Sequence, residues 1–223
     1  MDEPADPLSG RIPGDVDWLS TRLRVLNLNG NNFPGDVPLA IGRFHEHRVL
    51  RLFQNELNGS FPLEIGNLSN LEMLELSDNA FLLMEIPAIP WPIEALKTQI
   101  IDLSQNNLNE TIPADFGKLT TLSVLALFDN QLFGEIPETI GHLPSLRDVK
   151  LFNNNLSGTL PPDFGRYLKL RGFEIPSNHF TGKLPEHLCA NGELLGVVAF
   201  DNNLTGELPN SLGNCSSLLC KIN

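Results

Sequence analysis

Basic residues are scarce in this 223-residue chain: 15 Lys and Arg stand against 27 Asp and Glu, a net charge of −12. No basic stripe is available to neutralise phosphates, which excludes nucleic acid as a partner class. Long apolar runs are also missing, and none approaches the ~20 residues of a membrane-spanning helix. The opening MDEPADPLSG is acidic and polar, without the apolar centre of a secretory leader. Cysteine is limited to three residues, too few and of the wrong parity for a disulfide scaffold. Neither a Gly-rich nucleotide loop nor a catalytic His-Arg-Asp is present, and no nucleophile elbow supports a Ser-His-Asp triad, so no enzyme activity is expected and no cofactor is implied. What remains is a chain 41% apolar, enough to fill a core, with 18 Gly, 17 Pro and an excess of Leu and Asn.

That excess is periodic. Aligned on Leu-x-x-Leu-x-Leu-x-x-Asn, the chain restarts at Leu23, His47, Leu71, Thr98, Leu122, Leu146, Leu170 and Leu194, with six intervals of 24 residues and one of 27. The ninth position is Asn each time: Asn31, Asn55, Asn79, Asn106, Asn130, Asn154, Asn178 and Asn202. Eight matches at fixed phase identify a leucine-rich repeat array. The expected fold is an α/β solenoid, mostly β: a right-handed superhelix with parallel strands on the concave face and 3₁₀ or irregular turns on the convex face. Residues 1–22 read as a partial N-terminal repeat, 23–217 as eight repeats, and 218–223 as a truncated one. His47 and Thr98, at Leu positions, read as defects that a single coil tolerates.

Each repeat divides into two halves. In LRVLNLNGN, strand alternation turns Leu26 and Leu28 inward and Val25, Asn27 and Asn29 outward. The Asn then turns the chain, its amide free to satisfy backbone groups of its own loop and of the neighbouring coil. The second half reads Leu-x-Gly-x-Ile-Pro, as in LFGEIP (132–137) and LSGTLP (156–161), followed by pairs such as Ile41-Gly42 and Phe116-Gly117. Gly and Pro at fixed phase argue for tight turns on the convex side.

The Leu-x-Gly-x-Ile-Pro half resembles the plant-specific leucine-rich repeat class of receptor-like kinases, receptor-like proteins and polygalacturonase inhibitors. The stretch 184–218 is similar to the ectodomains of HAESA-like receptor kinases, which perceive secreted peptide hormones. The resemblance implies the ligand-binding region of a plant receptor-like serine/threonine kinase, extracellular at the plasma membrane, with a secreted peptide as ligand and a co-receptor kinase docking on the C-terminal repeats. A secreted inhibitor of the polygalacturonase-inhibitor type is the alternative, though the cysteine pairs that cap such proteins are not seen; a non-functional truncated product is a third reading. The chain opens inside a repeat at Leu8 and stops inside another at Asn223, so a fragment is expected. Taken as written it would be cytosolic, with uncapped terminal coils open to water. The segment 81–99 carries the three extra residues, either as an irregular coil or, the favoured reading, as a junction where repeats were lost.

Several residues carry candidate chemistry. His45-Glu46-His47 has the look of metal ligands, but a third ligand is lacking, so no metal site is assigned. Six Asn-x-Ser/Thr sequons, at Asn58, Asn67, Asn109, Asn155, Asn203 and Asn214, all fall away from the strands, which would leave the inner face open. Cys189 and Cys215 lie in adjacent coils within reach of a disulfide, or are two separately buried thiols; Cys220 has no evident partner. On the inner face, position seven is Phe at Phe53, Phe128, Phe152 and Phe200, either a binding surface or a set of rings packed on one another. Acidic side chains there (Glu75, Asp78, Asp102, Asp129, Asp148, Glu174 and Asp201) outnumber Arg51 and Lys150, which favours a neutral or basic ligand. The ligand-binding set is therefore Phe53, Phe128, Asp129, Lys150, Phe152, Phe200 and Asp201. The paired Arg-x-Arg that holds a ligand's carboxylate in related receptors is reduced to Arg51-Leu52-Phe53, with no second Arg.

Overall fold

The computed structural model describes residues 6–15, 22–60, 63–81 and 97–218. Most of the irregular stretch at 81–99, parts of the N-terminal partial repeat, and 219–223 with Cys220 lie outside the described residues.

Among the described residues the inner surface is one sheet of eight parallel strands in chain order. These are β1 (Val25–Asn27), β3 (Val49–Arg51), β5 (Met73–Glu75), β6 (Ile100–Asp102), β7 (Val124–Ala126), β9 (Asp148–Lys150), β11 (Gly172–Glu174) and β13 (Gly196–Val198). We number the coils one to eight after these strands. The middle residue of strands β3 to β13 is buried and its neighbours are half-buried or better, as the alternation requires. Across the 27-residue interval β5 pairs β6 directly, Met73 beside Ile100 and Leu74 beside Ile101, so the sheet continues there without a missing rung.

A second, lateral set of strands flanks the first. It comprises β2 (Pro34–Gly35) paired with β4 (Glu56–Leu57), and a four-stranded sheet of β8 (Phe133–Gly134), β10 (Asn155–Thr159), β12 (His179–Gly182) and β14 (Asn203–Leu204). Its ladder is staggered. Phe133 lies beside Asn155, Ser157 beside His179 and Thr181 beside Asn203, so position twelve of one coil meets position ten of the next. The repeat Gly sits at the crossing: Gly158 has φ of +77°, and a Cβ there would meet Glu135 Cγ at 2.5 Å.

On the convex side, short 3₁₀ helices cover Leu39–Arg43, Leu63–Asn67, Ala114–Lys118 and Glu138–His142, and one α-turn covers Asn210–Gly213. Pro38, Pro113, Pro137 and Pro209 start four of these five, their ring fixing φ near −60° while leaving no donor to waste. The triplet Asp-Phe-Gly occurs twice, at 115–117 and 163–165, at one and the same convex position. Phe116 and Phe164 are buried, and the aspartates pair with Lys118 and Arg166, so both triplets are solenoid packing and not kinase machinery.

Between the layers runs a single core from Phe33 to Leu212, including the fully buried Phe44, Phe81, Phe116, Phe164, Phe173 and Phe180. The repeat asparagines tie coil to coil. Asn130 Nδ2 donates to Leu127 O at 3.1 Å and Phe128 O at 3.2 Å in its own coil, and to Leu103 O at 3.0 Å in the preceding one. Its Oδ1 accepts from Leu108 N of that same preceding coil, at 3.0 Å. The pattern recurs at Asn55, Asn79, Asn106, Asn154, Asn178 and Asn202. The two polar residues at Leu positions also reach back one coil. His47 Nδ1 donates to Leu23 O at 2.8 Å and Thr98 Oγ1 to Leu71 O at 2.9 Å, both from buried side chains. Both add a tie between coils, but His47 keeps a buried Nε2 without a partner, so it remains the tolerated defect expected from the sequence while Thr98 does not.

Asn178 is the most instructive rung to remove, since its bonds to Leu151 O, Ile175 O, Pro176 O and Leu156 N are all buried. Asn178→Ala should cost about 3 kcal/mol in urea unfolding by stranding buried polar groups. Asn31→Ala, whose amide is only part-buried, should cost less than half as much. Equal, small losses at both sites would contradict the ladder's role.

Candidate functional site

The inner sheet presents three rows of side chains, one per outward strand position. The row at position three is apolar over five coils, Val25, Val49, Met73, Ile100 and Val124, and then changes to Asp148, Gly172 and Gly196. The change leaves a side-chain-free trench over coils seven and eight. Asp148 leans across it, for a Cβ on Gly172 would lie 2.9 Å from its Oδ1. Position five runs Asn27, Arg51, Glu75, Asp102, Ala126, Lys150, Glu174 and Val198. Arg51 is paired with Glu75, which neutralises the lone arginine of the face. Asp102 accepts the Ser104 hydroxyl at 2.6 Å, and Lys150 makes no ion pair among the described residues.

Position seven carries the four phenylalanines. Phe128 and Phe152 stack, with ring centroids 4.4 Å apart and planes 13° from parallel. Phe53, Phe128 and Phe152 are half-buried, while Phe200 is exposed. The two middle rings thus pack on each other and still form one apolar shelf at the surface. In coil five the shelf meets the apolar row, because Val124, Ala126 and Phe128 leave no polar side chain across that strand. Phe53 stands apart in coil two.

Position eight is the feature that sequence reasoning missed. Gly30, Gln54, Asp78, Gln105, Asp129, Asn153, Ser177 and Asp201 all have φ between +53° and +67°. The signal was present: this position holds Gly, Asp, Asn, Gln or Ser and never a β-branched or aromatic residue, the composition of a left-handed turn. Asp129 and Asp201 therefore sit on the turn that ends the strand, not on the sheet itself. Asp129 accepts Asn153 Nδ2 at 2.6 Å, whereas Asp201 is exposed.

The remaining candidates lie elsewhere. Cys189 and Cys215 are bonded, with Cα atoms 5.9 Å apart, joining coils seven and eight on the convex side. Asn58, Asn67, Asn155, Asn203 and Asn214 are exposed and Asn109 is half-buried; Asn155 and Asn203 open lateral strands, against the expectation that all six fall off the strands, but none of the six is on the inner sheet. His45 is exposed and His47 buried, so the two do not converge, and among the described residues no group of three metal-ligating side chains forms.

The Leucine Rich Repeat family matches at 22–44, 97–119 and 145–167. The chain carries leucine-rich repeats and is built like the ectodomains of plant receptor kinases. A TDR receptor structure is 37% identical with a TM-score of 0.90, over 95% of this chain and 36% of that one. The ectodomain of the Arabidopsis thaliana membrane receptor kinase GASSHO1/SCHENGEN3, in complex with Casparian strip integrity factor 2, is 28% identical with a TM-score of 0.81, over 93% of this chain and 28% of that one. The Arabidopsis receptor kinase HAESA, in complex with the peptide hormone IDA and the co-receptor SERK1, is 28% identical with a TM-score of 0.62, over 95% of this chain and 43% of that one. The leucine-rich repeat chain thus spans well under half the length of these structures. No curated protein matches it. Among the described residues no helix is long and apolar enough to cross a membrane.

His47 makes this leucine-rich repeat chain sensitive to acid. Burial lowers its pKa from the ordinary value, against the smaller opposing effect of the Leu23 carbonyl, and Nε2 is buried without a partner. Because the unfolded chain takes up the proton first, stability is intact above pH ~6.5 and falls as pH drops through the folded value. His47→Leu should flatten the urea-unfolding free energy over that range; an unchanged pH slope would remove His47 as its source.

Proposed function

We propose that this chain is the ligand-capturing part of a plant receptor kinase ectodomain, holding a short secreted peptide, neutral or basic, extended across the inner sheet. The observation that carries this reading is the shelf of Phe128 and Phe152, an apolar surface that joins the apolar row of position three on a face whose charged side chains are mostly carboxylates. Eight strands at ~4.8 Å give a face of about 38 Å, which an extended peptide of roughly eleven residues would cross. Phe128, Phe152 and Phe200 supply apolar anchors; Asp129 and Asp201 receive a ligand Lys or Arg through charge-assisted hydrogen bonds. Lys150, in register between Ala126 and Glu174, stands beside the shelf, and Phe53 would meet only the far end of the peptide. The chain acts by binding, with signalling left to a kinase domain across the plasma membrane and a co-receptor kinase docking on the C-terminal coils. The Cys189–Cys215 bond and the exposed sequons fit the extracellular side, where disulfides persist and Asn is glycosylated.

A random library of roughly eleven-residue displayed peptides, selected on the immobilised chain, tests this reading at the length the face accommodates. Apolar sequences carrying Lys or Arg should be enriched. Phe128→Ser with Phe152→Ser should weaken binding of a selected peptide by about 2 kcal/mol or more. Asp129→Asn with Asp201→Asn should mainly slow association and reduce its salt dependence. Enrichment of acidic peptides, or binding indifferent to all four changes in a folded chain, would defeat the proposal.

A further inference from the structure

The lateral sheet carries a sequon placed beside an aromatic ring. Asn155 opens Asn-Leu-Ser, is exposed, and is the in-register neighbour of Phe133 on the adjacent parallel strand. Phe133 is itself 42% exposed, an unusual position for a phenylalanine outside the core and away from the inner face. Adjacent strands lie ~4.8 Å apart, so the two side chains rise side by side from one surface. They border a shallow depression of about 430 Å³ whose rim is amide-rich, with Asn109, Gln131 and Asn153 around the ring.

We propose that Asn155 is an N-glycosylation site whose first sugar is seated on the ring of Phe133. In the attachment step the Asn155 amide nitrogen loses a proton and bonds to the anomeric carbon of an N-acetylglucosamine. The bond from that carbon to the phosphate of a lipid-pyrophosphate-linked oligosaccharide breaks, and the lipid pyrophosphate leaves with the electron pair and takes up the proton. The sugar face, lined with C–H groups of partial positive charge, then meets the negative face of the Phe133 ring. Gln131, beside the ring, offers its amide to the sugar's hydroxyls and acetamide, while the Asn153 amide nitrogen is already engaged by Asp129.

The chain contains its own control. Asn203 occupies the same repeat position in coil eight, opens Asn-Leu-Thr and is exposed, but its in-register neighbour is Thr181. A glycan there meets a threonine at the in-register position in place of the ring.

The test uses the full chain secreted from mammalian cells behind a supplied leader, with peptide mapping by mass spectrometry. Asn155 should carry N-acetylglucosamine. On the native protein a peptide-N-glycosidase should release it about fivefold more slowly than the glycan of Asn203, the effect expected of one aromatic contact. Phe133→Thr should bring the two rates together, and Thr181→Phe should slow release at Asn203. An unmodified Asn155, equal rates in the parent chain, or rates unmoved by both substitutions would overturn the proposal. The proposal rests on passage through the secretory pathway. Because the leader is supplied, its failure would leave the peptide-binding reading standing, and loss of peptide binding would leave the glycan seat standing.

Discussion

Everything in this solenoid depends on the side-chain amide at the ninth position of each coil. The inner strands are three residues long and the lateral ones two to five, too short to hold a register through their own ladder bonds. Each amide supplies what they lack. It closes its own turn, and from Asn55 onward both its oxygen and its nitrogen reach the backbone of the coil before it. Buried loop carbonyls that would otherwise be stranded are satisfied, and every coil is tied to its predecessor at the same place. Order therefore passes along the chain by nearest-neighbour contact, as in other repeat proteins.

A register held this firmly is what turns scattered residues into rows. Val25 and Val124 are almost a hundred positions apart and yet belong to one apolar line, because each strand keeps phase with the next. The same phase sets Phe128 against Phe152 and clears a trench at Gly172 and Gly196. The left-handed turn at position eight ends each strand abruptly, so the face has a sharp rim on which Asp129 and Asp201 stand. A long, shallow surface with apolar lines and carboxylates at its rim suits an extended chain better than a globular partner.

Much of this was legible in the residues, and the limits have physical causes. The period, the inward leucines and the asparagine turns follow from spacing alone, because burial leaves little choice of residue at those positions. The outward rows follow from alternation. The stagger of the lateral sheet does not, since the repeats keep a 24-residue phase while Phe133 pairs with a residue 22 positions on. Burial of the inner phenylalanines also escaped alternation, which assigns a direction but not the packing of one ring on another. His47 and Thr98 read as faults because a substitution pattern does not reveal a carbonyl waiting in the neighbouring coil. For Cys189 and Cys215, spacing left both a bond and two separate thiols open until the convex turns were in place.

The central claim is that a peptide lies across the inner sheet with its main anchor on coils five to eight. Hydrogen exchange of the chain, measured with and without a peptide selected for binding, tests it most directly. The account predicts slower exchange in 124–129 and 148–153, with the convex helix Glu138–His142 and the lateral strand His179–Gly182 unchanged. Protection confined to the lateral or convex surface, with 124–153 unaffected at saturating peptide, would contradict it.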